Sequence, residues 1–189
     1  MTTRTLFTAF LLSAVCFSCK KEYSPKPSAY YRIDEPQETF IPYETREISF
    51  ELSSKAIVHS EKKGNETWIT IRYPQYHAYL YCTYLPISKG SLRPAIDDSY
   101  RMAFSHTVKA NGIMQQVLQI PTQKTGGILY QIGGNVATPR QFFLTDSISH
   151  FFRASLYFDG KANADSLTPV VKYMDKNIQK LASSLKWRD

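Results

Sequence analysis

The sequence predicts an α+β fold in which a mostly antiparallel sheet is covered by two amphipathic helices. Several short runs alternate apolar and polar residues with a period of two, which is typical of strands, and turn signals separate them. Two other segments repeat apolar residues every three or four positions, as helices do. Consecutive strands joined by tight turns favour antiparallel pairing, and the helices are needed to bury the apolar side of the sheet.

Three strand-like runs precede the first predicted helix. Ile48, Phe50 and Leu52 alternate in the first run, TWITIRYP around Trp68 forms the second, and residues 78–84 form the third. Gly64-Asn65 predicts a turn before the second run, and Pro74 predicts a hairpin connection after it. These runs therefore predict a small antiparallel group of strands.

The first helix is predicted over residues 91–110. Apolar residues recur there at every fourth position, namely Ile96, Tyr100, Phe104 and Val108. Pro94 is suited to a first helical turn, and Asn111-Gly112 predicts the end of the helix.

Four strand-like runs and a closing helix follow. The runs are MQQVLQI, GILYQIG, QFFLTD and HFFRASLYF, with turn signals at Gly133-Gly134-Asn135 and Asp146-Ser147. The helix is predicted from about Ser166 to Trp187, with Asp165 or Ser166 as its N-cap. Its apolar stripe consists of Val171, Met174, Ile178, Leu181 and Leu185.

The N-terminus has the pattern of a lipoprotein signal peptide at residues 1–18. Leu6 to Phe17 is apolar but too short to cross a bilayer, which takes ~20 residues. A lipoprotein signal is cut before a cysteine that receives acyl chains such as palmitate, and Ser18 makes Cys19 a better candidate than Cys16, which follows Val15. The alternative is an ordinary secreted protein that is cut elsewhere and keeps Cys19 as a plain thiol.

Residues 19–38 are predicted to form a lipidated arm, and residues 39–189 a single α+β domain. The proline-containing arm from Lys20 to Glu38 would reach ~60 Å if fully extended as polyproline. An inert tether rarely carries so many rings, so part of the arm is expected to pack on the domain or on a partner. The candidate contacts are of types enriched in interfaces, namely Tyr23, Tyr30, Tyr31 and Arg32.

Charge and cysteine content argue against several classes of protein. Removal of the leader takes one cation, Arg4, and lowers the formal net charge from +7 to +6. The cations are spread along the chain without a nucleic-acid-binding motif, so no nucleic acid is expected as a partner. Cys82 would be the one thiol left after acylation, and its position in YLYCTYL predicts core packing rather than a disulfide.

Catalytic and metal-binding patterns are weak, so we expect no enzyme, metal or cofactor. Ser183-Ser184-Leu185-Lys186 and Lys124-Thr125-Gly126 match penicillin-recognising motifs but occur in the wrong order and without a third motif. The histidines lie far apart in sequence, without the short spacing of metal ligands. An envelope hydrolase or small-ligand-binding lipoprotein is the alternative, and a pocket that gathers His106, Asp146 or Arg153 would favour it.

Four blocks of the chain resemble the gliding-motility lipoprotein family GldD of the Bacteroidetes. They are YSPKPSAYYRID, SHTVKANGI, GGNVATPRQFFLTDSISHFFRASLYF and DSLTPVVKYMDKNIQKLASSLKW, with Ala29 where the family is expected to have glycine. The resemblance implies a cell-envelope lipoprotein required for gliding and for type IX secretion, one that supports partner lipoproteins and has no established catalytic residue. The order of elements is similar to that of PsbP/Mog1-like sandwiches.

The resemblance also bears on location and modification. A periplasm-facing domain is expected, on either the inner or the outer membrane. Asp146-Ser147-Ile148 and Asp165-Ser166-Leu167 match the short acceptor of Bacteroidetes O-glycosylation, which makes Ser147 and Ser166 candidate sites. Turn formation and helix capping explain both segments equally well.

Overall fold

The computed structural model describes residues 38–105, 110–159 and 164–188, which form ten strands and two helices. The first five strands are β1 (Phe40–Glu44), β2 (Ile48–Ser53), β3 (Ile57–Lys63), β4 (Glu66–Tyr73) and β5 (Ala78–Pro86). Helix α1 (Leu92–Phe104) separates them from β6 (Ala110–Ile120), β7 (Thr125–Gly134), β8 (Arg140–Thr145) and β9 (His150–Phe158). The last elements are helix α2 (Ala164–Ser184) and β10 (Lys186–Trp187).

The strands form two sheets in which each pair of neighbours is antiparallel. The large sheet has the order β3-β4-β5-β9-β8-β7-β6, and the small sheet has the order β1-β2-β10. These pairings confirm the α+β class and the mostly antiparallel sheet. The likeness to PsbP/Mog1-like sandwiches stays a prediction.

The alternation of side chains along β8 and β9 divides the large sheet into two apolar faces. Phe142 and Phe152 belong to a core that also contains residues of α2 and of the small sheet. Phe143 and Phe151 belong to a second core, together with residues of α1. The large sheet therefore has α2 and the small sheet on one side and α1 on the other.

Helix α2 buries the stripe that the sequence predicts. Met174, Ile178, Leu181 and Leu185 are all buried, and Val171 packs at the border of the core. Residue Leu185 lies just after the helix. Truncation of one such leucine or isoleucine to alanine costs about 2–5 kcal/mol in folded proteins.

A part-buried ion pair fixes the orientation of α2 on the sheet. The guanidinium of Arg140 in β8 donates from Nε to Asp175 Oδ1 at 2.7 Å and from Nη2 to Oδ2 at 3.0 Å. Two parallel hydrogen bonds between planar groups hold both position and angle.

Two hairpins use the same kind of connection. Short 3₁₀ turns at Pro74–Tyr76 and Pro121–Gln123 join β4 to β5 and β6 to β7. Each turn ends in a residue with positive φ, His77 at 47° and Lys124 at 48°. The hairpin predicted from Pro74 is confirmed, as is the turn at Gly64-Asn65.

Several predicted boundaries are wrong. Helix α1 ends at Phe104, and β6 begins at Ala110, so Asn111-Gly112 lies in a strand instead of ending the helix. Val108 and His106 lie outside the described residues. Strand β1 contains Pro42, and β3 is exposed along most of its length, which explains why neither shows the alternation expected of a strand.

The C-terminal helix is also shorter than predicted at its end. It begins at Ala164, which places Asp165 and Ser166 in its first turn rather than before it, and it ends at Ser184. Lys186 and Trp187 leave the helix to pair with β2.

Gly126 and Gly127 form a glycine pair, yet both residues lie within β7. The sequence suggests a turn because glycine pairs commonly mark one. Gly127 is required here for another reason: a Cβ atom at this position would lie 1.8 Å from the carbonyl oxygen of Phe143.

Candidate interaction site

A groove of about 820 Å³ lies between α2 and β6, an edge strand of the large sheet. Leu118 and Ile120 of β6 line one side, and Phe40 of β1 and Ala182 of α2 also contribute apolar surface. Lys176 and Lys180 are the cations among its lining residues. The groove can therefore receive an extended apolar segment whose polar groups are anionic.

The groove exists because β6 continues beyond the part of the sheet that α2 fully covers. Leu118 and Ile120 alternate with exposed residues, and they are only partly buried against the edge of the core. The next strand inward, β7, contributes fully buried residues such as Leu129.

Glu38, the first described residue, lines the groove and is fixed to α2. Its carboxylate accepts hydrogen bonds from the hydroxyl of Tyr173 and from Nδ2 of Asn177, the latter at 3.2 Å. Burial raises the pKa of Tyr173, and the bond to the Glu38 carboxylate raises it further, so the phenol remains a neutral donor. Glu38 therefore places the N-terminal end of the described chain at the groove.

Lys180 of α2 interacts with two strands of the small sheet, β1 and β2. Its Nζ is 2.6 Å from Glu51 Oε2 in β2 and 5.6 Å from the ring centroid of Phe40 in β1. The lysine thus holds a positive charge at the apolar wall of the groove.

The outer edge of β6 differs from the opposite edge of the same sheet. The sequence of β6, ANGIMQQVLQI, contains no charged residue, and Met114 and Val117 are 63% and 70% exposed. Strand β3 at the other edge carries Glu61, Lys62 and Lys63. Charged side chains protect an edge against pairing with another strand, so β6 is the less protected of the two.

A second exposed surface consists of aromatic side chains on β4, β5 and β9. Trp68, Tyr81 and Tyr157 are 42%, 48% and 38% exposed. The ring of Tyr81 lies 5.8 Å from Tyr79 and 6.2 Å from Tyr157, measured between centroids. We call Trp68, Tyr79, Tyr81 and Tyr157 the aromatic face, and such side chains are enriched in protein interfaces.

Most of the predicted site residues lie outside the described residues. These are the lipidation site Cys19 and the candidate contacts Tyr23, Tyr30, Tyr31 and Arg32. The side chain of Ser166 is likewise not described. Their roles stay predictions.

Ser147 is exposed in the turn between β8 and β9, with φ of 63°. The preceding carboxylate of Asp146 accepts hydrogen bonds from the backbone N–H groups of Ile148, Ser149 and His150 at 2.9–3.0 Å. Partial burial opposes ionisation of Asp146, but these donors outweigh it and hold its pKa below the usual range. The motif thus has a structural role in the turn, and Ser147 is also accessible to modification.

The residues named for a hydrolase have separate partners. Asp146 caps its turn, whereas Arg153 donates from Nη1 to Asp98 Oδ2 of α1 at 2.8 Å. His106 lies outside the described residues. Within the part of the chain that the structure describes, no group of three His, Cys, Asp or Glu side chains is close enough to hold a metal ion.

Cys82 is buried in β5, as the sequence predicts, and it is a free cysteine. Burial raises the pKa of its thiol well above the usual range. None of the helices in the described ranges has the length and apolar character needed to span a membrane.

Sequence reasoning missed the groove, although one signal was visible. The run MQQVLQI was recognised as a strand, and its lack of charge could have marked it as an edge open to further contacts. The contribution of Phe40 and of α2 depends on distant parts of the chain meeting in space.

Comparison with known proteins places nearly all of the predicted mature chain in one family. The family model described as gliding motility lipoprotein GldD matches residues 20–187. No curated protein shows significant similarity to the sequence. The matched range includes both sheets and both helices. The chain therefore belongs to the gliding motility lipoprotein GldD family and is a membrane-anchored protein of the cell envelope.

Proposed function

We propose that this protein is a non-catalytic component of the gliding apparatus and of the associated type IX secretion machinery, in which it supports partner lipoproteins. Cys19 carries the lipid, the arm spans from the bilayer, and the domain faces the periplasm. The family match over residues 20–187 is the observation that carries this proposal.

Lipid anchoring gives the proposal a physical basis. A single acyl chain binds a membrane only marginally, whereas two or more give stable attachment at ~0.8 kcal/mol per buried CH₂ group. Confinement of the domain to a layer beside the membrane raises its effective concentration toward partners anchored in the same layer.

The aromatic face supports docking to such partners. Its exposed rings on adjacent strands provide a rigid apolar surface, and few side-chain rotations are lost when such rings are buried. Lys63 Nζ lies 3.9 Å from the centroid of the Trp68 ring, which adds a cation at the border of this surface.

Substitution of the proposed anchor tests the function directly. Cys19→Ser is expected to release the protein from membranes and to abolish both gliding and the secretion of cell-surface adhesins. Cys82→Ser is the matched control, because it removes a buried thiol that receives no lipid in this account. Full gliding and secretion by a Cys19→Ser protein found in the soluble fraction would refute the proposal.

A test of partner support uses the aromatic face. Trp68→Ala combined with Tyr81→Ala should reduce co-purification of partner lipoproteins with little loss of stability, because both rings are substantially exposed. Ile148→Ala, at an exposed position on the β8–β9 turn, controls for the loss of an apolar surface residue. Unchanged co-purification would show that the aromatic face does not bind these partners.

The groove favours a second candidate function, the binding of a small apolar ligand. Its volume of about 820 Å³ falls in the range of ~300–1,000 Å³ that is typical of ligand sites. A lipophilic fluorescent probe whose binding is abolished by Leu118→Asp would support this candidate.

A further inference from the structure

We propose that the groove between α2 and β6 is a docking site for residues 28–35 of this chain's own N-terminal arm. Four features of the chain support this docking: the position of Glu38, the length of the arm, its residue pattern and its charge.

The described part of the chain begins at the groove. Glu38 lines it and is held there by Tyr173 and Asn177, so a segment that precedes Glu38 is attached beside the groove. A segment attached at this point has an effective concentration in the millimolar range at the groove. A free partner of the same affinity would compete equally only at a similar concentration.

The arm is long enough to follow the groove. The lining residues of α2 extend from Tyr173 to Ser183, and ten residues of helix span ~15 Å at 1.5 Å per residue. The eight residues 28–35, when extended, span up to ~26 Å at 3.3 Å per residue.

The segment SAYYRIDE at positions 28–35 has a suitable pattern. It lies between Pro27 and Pro36 and contains no proline itself. In an extended chain Tyr31 and Ile33 share one side. This apolar side matches the surface formed by Leu118 and Ile120.

Charge is also complementary. Asp34 and Glu35 come four and three residues before Glu38, within ~10–14 Å of it along an extended chain. Lys176 and Lys180 lie on the same part of α2 as Tyr173, which binds Glu38. Lys180 already pairs with Glu51, so an additional carboxylate would join an existing charge network.

Docking would shorten the free tether. If Cys19 is the anchor, as proposed above, only residues 20–27 would separate it from the docked segment. At 3.1 Å per residue this tether reaches ~25 Å instead of ~60 Å. The domain would then stay close to the bilayer, with its groove on the membrane-proximal side.

Limited trypsin digestion of the full-length protein purified from membranes tests the inference. The arm contains cleavable bonds after Lys20, Lys21 and Arg32, whereas Lys26 precedes Pro27 and resists trypsin. Docking predicts cleavage after Arg32 at least tenfold slower than cleavage after Lys21, because a protease acts on the open form of a docked segment. Equal rates at the two bonds would overturn the inference.

Matched substitutions on β6 sharpen this test. Leu118→Asp places a carboxylate in the groove and should accelerate cleavage after Arg32 about tenfold. Val117→Asp, on the opposite and exposed face of the same strand, should leave that rate unchanged. The inference is wrong if the two variants behave alike while both remain folded by circular dichroism.

Photo-crosslinking provides a second measurement that does not depend on the stability of a groove variant. A benzoylphenylalanine at position 31 should crosslink to residues 116–121 or 173–183, and one at position 23 should not. Mixing isotopically labelled and unlabelled protein separates crosslinks within one chain from those between copies. Crosslinks between copies would show that a second copy occupies the groove, and crosslinks to another protein would show a partner there; either result would overturn the inference.

Discussion

Gly127→Ala is expected to open the contact between β7 and β8. The added Cβ would lie 1.8 Å from the Phe143 carbonyl oxygen and 2.8 Å from its carbonyl carbon. These are backbone atoms of a central strand, so no side-chain rotation can relieve the clash. Since Cβ atoms rarely come closer than about 3 Å to such an oxygen, the two strands would have to separate by roughly 1.2 Å, against a normal spacing of about 4.8 Å.

The cost follows from the hydrogen bonds that such a separation breaks. Residues Gly126 to Gln131 are paired with Thr145 to Arg140 in this ladder. Loss of two or three adjacent bonds, each contributing about 1 kcal/mol, lowers the free energy of unfolding by about 3 kcal/mol. For a domain of this size the melting temperature should fall by about 6–12 °C.

Gly126→Ala is the matched control. A Cβ at that position would lie 3.8 Å from the Leu118 carbonyl oxygen, an ordinary van der Waals distance. Its reduced freedom in the unfolded state should leave stability unchanged or raise it by about 0.4–1 kcal/mol. Urea denaturation followed by circular dichroism measures both variants. The reasoning is refuted if Gly127→Ala unfolds at the same urea concentration as Gly126→Ala.

Three further predictions concern single side chains. Asp146→Asn should lower the free energy of unfolding at pH 7. The difference from wild type should shrink as pH falls below about 4, because the lowered pKa of Asp146 stabilises the fold only while the carboxylate is ionised. Denaturation at pH 7 and pH 3 measures this difference, and an equal difference at both would contradict the prediction. Trp187→Phe should lower the free energy of unfolding by about 1 kcal/mol, because it keeps an aromatic ring but removes the 2.7 Å hydrogen bond from Nε1 to Thr125 Oγ1. A Trp187→Phe protein as stable as wild type would show that this bond contributes nothing. Cys82 should react with iodoacetamide at pH 8 only after denaturation, since burial raises the pKa of the thiol; mass spectrometry that finds rapid alkylation of the folded protein would contradict its burial.

The strands that the sequence predicts well are those with one buried face. In β4, Ile69 and Ile71 alternate with exposed or partly exposed residues, and in β5 Leu80 and Cys82 do the same. Burial on one side of a strand makes apolar and polar residues alternate, and the sequence alone shows this alternation. Strand β3 shows no such pattern because most of its side chains are exposed on both faces.

The end of α2 shows how a helical pattern can mislead. Leu185 continues the apolar stripe and is buried as the stripe requires, yet the chain has already left the helix. The backbone of Trp187 pairs with Ile48 of β2 instead, and its ring stacks on His150 with centroids 5.1 Å apart. These partners lie far away in sequence, and a local period carries no information about them.

The groove was beyond sequence reasoning for the same reason. It combines Phe40 near the start of the domain, Leu118 in the middle and Tyr173 near the end. Each of these residues has an ordinary local pattern, and only their meeting in space creates a concave surface. The arm residues, by contrast, stand out by residue type alone, and trypsin cleavage and crosslinking would report directly on two of them, Tyr31 and Arg32.

The position of β2 between β1 and β10 has a consequence for folding. The first and last strands of the described domain pair with the same neighbour, so the small sheet is complete only when Lys186 and Trp187 are present. Until α2 and β10 are available, β2 lacks one strand partner and the helix that packs against it. The small sheet therefore closes only when nearly the whole polypeptide is available.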